Sequence, residues 1–386
     1  MLGNPMRAAA LGILTLLAFA CSQPGPAGSA KASPGPTPTA SGSSPSPSAS
    51  PPALTESYGV LGTSGVDQPN YSLAIVGAGG KVAATATAAP RSGLQCTGPP
   101  AAGPILPFAT VSMSDSRVYY LDGNTSVKFL RPDGTLGDAT SVPGNGSLGS
   151  TFAVSPDDKR IAVVATDYGK NPVSYRIYVE DTFGGGNHVD IFSAADSRVP
   201  WAVGWRSGQL VLGIAGSCSQ GGGPFSVFPH EYHVVDPATA ARSATLGSST
   251  GCPTVSLPSP GGVLCQEPNG TIDVVGWDGK VVRTFPAYAD NQFFNFALAP
   301  GGGEAAGCCT PDGSPLLTRV GANPTQVPGG GDTVGFIDDG HLLIGAVAVQ
   351  SQSRVYTVSP SASTPVPALG FFVGRLPGGL DPGHGT

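Results

Sequence analysis

Charge is scarce in this chain. Lys, Arg, Asp and Glu make up 11% of its 386 residues, against about 25% in ordinary soluble domains. The net charge of −6 argues against a nucleic-acid partner, which would call for a basic face. Motifs are missing too. There is no Gly-x-Ser-x-Gly, no P-loop and no dinucleotide fingerprint, and the five His stand in no recognisable triad context. Cys-x-x-Cys does not occur, which removes the zinc and thioredoxin-like patterns. The pairs Asp157-Asp158 and Asp338-Asp339 lack the alternating oxygen ligands of a calcium loop and read as turn formers. No cofactor, metal or catalytic constellation is legible. No segment shows an amphipathic helical period, and past the N-terminus no apolar run approaches the roughly 20 residues that span a bilayer. The longest, around Leu342 to Val349, suits a buried strand.

What is present begins at the N-terminus. Arg7 precedes a short apolar core that ends in Ala18-Phe19-Ala20-Cys21, the layout of an export signal over residues 1–20. With Cys at its end, this stretch resembles the lipobox of bacterial lipoproteins, although Ala18 stands where that family prefers Leu. The resemblance implies lipidation of Cys21, attachment to the membrane through that lipid, and an extracytoplasmic place at the bacterial envelope. Residues 21–53 are dominated by Ser, Pro, Gly, Ala and Thr, and no aromatic residue occurs between Cys21 and Tyr58. Such a segment cannot bury enough apolar area to fold. Read as a proline-rich tether at ~3.1 Å per residue, it reaches up to about 90–100 Å.

The remainder, residues 54–380, with a tail at 381–386, is dense in turns. One turn, Ser155-Pro156-Asp157-Asp158, separates two apolar segments rich in β-branched residues. Related turns recur at Ser114–Arg117, Trp205–Gly208, Ser259–Gly262, Ala299–Gly302, Ile337–Gly340 and Arg375–Gly379, about 38 to 53 residues apart. Pro and Asp start such turns and Gly tolerates positive φ, so these are hairpins. A second hairpin follows each of the first six. In Tyr175–Asp181, Tyr175, Ile177 and Val179 alternate with Arg176, Tyr178 and Glu180, the period of a strand. Each repeat is thus four antiparallel strands, and repeats of this length indicate a β-propeller.

"SPDDKRIAVV" also resembles the repeat of TolB-type, WD40-like (PD40) propellers, clearly in one repeat and in eroded form elsewhere. The reading is an all-β, seven-bladed propeller of four-stranded antiparallel blades, closed by strands from both termini. "ALGFFVGRLPGG" would supply the inner strand missing beside "TESYGVLG". Six or eight blades would follow from a miscount around residues 216–229. A pair of β-sandwiches would not explain the double-hairpin period.

Propeller ligands usually meet the face made by the loops between hairpins and between blades. There the expected binding residues are Tyr168, Asp196, Arg198, Phe225, Phe228, His230, Asp290 and Asn291. His230 and His233 fall on opposite faces of a strand, so a shared metal is not expected. Six cysteines follow Cys21. An even count in an exported chain suggests disulfides, and Cys218–Cys252 is the expected pair, bracing the long loop at 216–229. Cys308 and Cys309 are expected to take separate partners rather than each other. The function expected is a monomeric binding or interaction scaffold that takes an envelope protein, peptide or glycan. The alternative is a propeller hydrolase or lyase with Asp196, Arg198, His230 and Asp290 at the channel mouth.

Overall fold

The computed structural model describes residues 54–63, 70–97, 102–107, 110–220, 229–248, 250–286, 295–308, 313–347 and 351–383. The chain divides into units covering Met1–Ser48 and Ala49–Thr386, and the architecture below is that of the second. Its described residues form seven antiparallel blades. Named from the inside out as strands A to D, blade 3 is Leu148–Val154, Arg160–Asp167, Val173–Asp181 and Val189–Asp196. Blade 4 is Arg198–Arg206, Gln209–Gly216, Glu231–Val235 and Arg242–Leu246. Blades 2, 6 and 7 begin at Val111–Met113, Asn295–Leu298 and Thr333–Asp338 and repeat the same order.

Blade 5 departs from it. Pro253, Pro258 and Pro260 interrupt its inner strand, because proline cannot donate to a ladder. Isolated bridges remain at Thr254–Cys265 and Ser259–Gly262, the Val255 amide donates to the Leu264 carbonyl at 2.9 Å, and the Ser256 hydroxyl accepts the Leu264 amide at 2.9 Å.

Blade 1 joins the two ends of the propeller. Its inner strand is Phe371–Leu376, paired antiparallel with Tyr58–Gly62 from Tyr58↔Leu376 to Gly62↔Phe371. Tyr71–Gly77 and Val82–Ala88 complete the sheet. The closure read from the sequence is therefore present, as is the count of seven. A Cβ at Gly335 would fall inside the Phe372 ring, so glycine there lets the closing strand pack against blade 7.

The strand period explains why a ring forms. Alternate residues point to opposite faces of a sheet, and in this fold both faces meet a neighbouring blade. Val118 and Tyr120 pack toward blade 1, while Tyr119 and Leu121 pack toward blade 3. Seven apolar clusters result, one between each adjacent pair of blades. The last, with Leu61, Ala74, Ile337 and Leu343, joins blade 7 back to blade 1. Polar bonds cross the same seams: Trp205 Nε1 donates to the Ala153 carbonyl at 2.8 Å, and the Tyr232 hydroxyl to the Ser256 carbonyl at 2.8 Å.

Beyond Leu376 the chain laces the lower face, the one carrying the A–B and C–D turns. The Gly378 amide donates to the Ser114 carbonyl at 2.8 Å and the Leu380 amide to the Trp205 carbonyl at 3.2 Å. Asp381 accepts from the Ser207 amide and hydroxyl at 2.7 and 2.6 Å. Leu380 is buried in the seam between blades 4 and 5.

One turn residue does more than turn the chain. Asp158, with φ 64° and 6% exposed, accepts from the Ser116 hydroxyl at 2.7 Å and the Tyr119 hydroxyl at 2.9 Å, tying the A–B turn of blade 3 to blade 2. Asp158→Ala removes the acceptor of both buried hydroxyls and is expected to cost about 2–4 kcal/mol in chemical denaturation. Asp157→Ala, at the exposed neighbour, should cost under about 1 kcal/mol.

Candidate functional site

The upper face carries the B–C loops and the connections between blades. In the connection between blades 1 and 2, the described residues 89–97 and 102–107 do not take the short path. The connection starts over blade 2, where the Ala89 amide donates to Asp122 Oδ1 at 2.8 Å and Asn124 exchanges bonds with Ser92. It then crosses blade 3, with the Thr97 amide on the Tyr168 carbonyl at 2.9 Å. At blade 4, Ala102–Pro104 pairs antiparallel with Cys218–Gln220, in the B–C loop. A Cys96–Cys218 disulfide fixes this strap, with Cα atoms 6.3 Å apart.

Beneath the strap lies an eighth apolar cluster. Leu94, Ile105 and Leu106 pack over Tyr168, Val199, Trp201 and Ala215. Arg91 anchors its near end: Nη2 donates to the Thr110 hydroxyl at 2.9 Å and to the Ser150 carbonyl at 2.5 Å. Burial lowers the pKa of that guanidinium.

The expected Cys218–Cys252 bond does not form. Cys218 is held by the strap, and Cys252 bonds Cys265 with Cα atoms 5.2 Å apart, just before the point where Thr254 meets Cys265. Cys308 is disulfide-bonded to a partner outside the described residues.

Tyr168 is also corrected. It is 1% exposed, under the strap, and burial pushes its hydroxyl up to about 12. It belongs to the packed interior and offers no contact surface. Trp201 and Trp205, at 4% and 6% exposed, are packing residues as well.

Asp196 and Arg198 do stand exposed beside each other at the junction of blades 3 and 4. The Arg198 amide donates to Asp196 Oδ1 at 3.1 Å and holds that carboxyl below its ordinary range. His230 is exposed at the foot of the adjacent strand. Phe225, Phe228, Asp290 and Asn291 lie outside the described residues.

The sequence reading missed the polar centre of this rim. Arg198 Nη1 and His233 Nε2 converge on Glu231 Oε1 at 3.5 and 3.1 Å, and Arg242 Nη1 lies 3.2 Å from His233 Nε2. Burial, with Arg242 adding to it, lowers the His233 pKa. On the outer strand of blade 3, Phe192, 47% exposed, leans on Tyr175 with ring centroids 6.2 Å apart. The rim thus offers carboxylates, guanidinium groups and an exposed aromatic ring on a covalently braced base, a composition suited to recognition.

The sequence matches no protein-family model and no curated protein. Among solved structures it is similar to a chain of the "Crystal Structure of Mitotic Checkpoint Complex", with TM-score 0.46 and 12% identity over 72% of this chain and 84% of that one. It is also similar to the "WD40 beta propeller domain of Doa1", with TM-score 0.43 and 12% identity over 68% of this chain and 84% of that one.

Proposed function

We propose that this chain is a lipid-anchored, extracytoplasmic propeller that acts as an interaction scaffold, and that a protein, peptide or glycan of the envelope docks on the upper face at blades 3 and 4. The carrying observation is the strap. Residues 89–97 and 102–107, with Cys218–Gln220 of blade 4, form a disulfide-braced platform that the ring does not need for closure. Rigid bracing lowers the ordering cost of a binding surface. The disulfides themselves support export, because they persist in oxidising compartments. Residues 54–57 enter blade 1 at the lower face, which leaves the upper face turned away from the entering segment.

A photo-crosslinking amino acid placed at Phe192 or Arg198 in intact cells is expected to trap a discrete envelope partner, and one placed at Val282, on the outer strand of blade 5, is not. Loss of the Cys96–Cys218 bond should abolish the adduct. Equal adducts from all three positions, or none, would contradict the reading. Cys21→Ala should move the protein from the membrane to the soluble fraction, and unchanged partition would contradict the anchor.

A further inference from the structure

The lower face holds a half-open groove of about 650 Å³ where blades 7, 1 and 2 meet, inside the range of about 300–1,000 Å³ usual for ligand sites. Glu56, Tyr58, Lys81, Pro132 and Asp338 line it, around the turn at Gly77, Ala78 and Gly79.

Its polar groups are set in place by their neighbours. Asp338 Oδ1 accepts from the Gly340 amide at 2.7 Å and lies 2.8 Å from His341 Nδ1, with Oδ2 at 3.0 Å from the same nitrogen. These bonds fix the carboxylate plane and leave acceptor capacity on the groove side. The Tyr58 hydroxyl donates to Glu56 Oε2 at 3.1 Å, which holds the ring at the wall and leaves Oε1 for a ligand. Lys81 stands exposed at the rim and makes no ion pair among the described residues.

The chemistry of this lining narrows what fits. An anion would meet two carboxylates against one ammonium, and a cation, though drawn to those carboxylates, offers no acceptor to the donors of Lys81. An apolar ligand would desolvate charged walls with nothing to pair them. A ligand that is uncharged, carries both hydroxyl donors and acceptors, and has one apolar face satisfies every group. Charge-assisted bonds from hydroxyls to carboxylates are the strong ones available here, and an aromatic ring with a tethered hydroxyl presents a flat apolar surface beside them.

We propose that this groove is a saccharide site for a neutral hexose oligomer, its ring stacked on Tyr58 and its hydroxyls bonded to Glu56, Asp338 and Lys81. It lies on the opposite face from the strap and does not rest on the docking surface proposed above.

Saturation-transfer NMR on the full chain tests it, with maltotriose and triacetylchitotriose as probes. At least one of the two is expected to give saturable transfer at millimolar concentration or below. The double variant Glu56→Gln/Lys81→Ala should weaken that binding by about tenfold or more with an unchanged unfolding midpoint, since both side chains are exposed. Tyr58→Phe should retain the stacking and most of the binding. Arg198→Glu, on the other face, should leave it untouched. Absence of saturable transfer from both sugars, or transfer that persists at full strength in the double variant, would overturn the assignment.

Discussion

Removal of residues 371–386 is expected to abolish cooperative folding. The deletion takes the whole inner strand of blade 1. It withdraws Leu376 from the seam with blade 2 and Phe372 from the seam with blade 7. It also exposes the edge of Tyr58–Gly62, and an open edge of apolar sequence templates association with other chains. The expected product is insoluble or lacks a sigmoidal denaturation curve. Removing only residues 384–386 should leave the midpoint where it is. An intermediate deletion, residues 377–386, keeps the closing strand but loses the lacing bonds and Leu380. A loss of about 2–4 kcal/mol is expected there.

Trp205→Ala should have the next largest effect, about 3–5 kcal/mol. The indole is 6% exposed in the seam between blades 3 and 4, among Ala153, Val164, Ile177 and Leu210. Its loss opens a cavity and leaves the Ala153 carbonyl without its donor at 2.8 Å. Trp205→Phe refills part of the volume but not the bond, so it should fall between the two. The check is guanidinium unfolding, where the midpoint should drop with little change of slope. A shift below about 0.5 kcal/mol would mean that this seam relaxes around the hole.

The fold was legible where its causes are local. Ser155-Pro156-Asp157-Asp158 and its relatives write a turn into adjacent residues, and alternation in stretches such as Tyr175–Asp181 writes a strand. Closure was legible because Tyr58–Gly62 lacks a partner before it and Phe371–Leu376 lacks one after it.

The site was not legible to the same degree. Cys96 and Cys218 are separated by 122 residues, and nothing local says that the connection after blade 1 reaches blade 4. One signal was available: these two cysteines sit in two long connections, residues 89–110 and 217–230. Residues 89–110 hold Pro, Gly and Ala in no periodic order, so they read as loop, and the covering of Tyr168 by Leu94 could not be foreseen. Blade 5 was counted from its turn at Ser259–Gly262, but the interruption of its inner strand was not foreseen. Its prolines break an inner strand that survives as the Thr254–Cys265 bridge and the bond from the Leu264 amide to the Ser256 hydroxyl. Asp158 read as a turn former because its partners, Ser116 and Tyr119, come from the previous repeat.

The strap has an energetic side as well. In the chain-entropy account, a bond closing a loop of 122 residues contributes about 4–5 kcal/mol by restricting the unfolded chain. The same bond that braces the proposed docking face therefore supports the whole ring.

Amide hydrogen exchange along Phe371–Leu376 tests the central claim most directly. If this strand closes the ring, its hydrogen-bonded amides open only with global unfolding and exchange as slowly as those of Val163 and Val164 in blade 3. Exchange at the fast rate of a fraying terminus, with blade 3 still protected, would contradict the closed propeller.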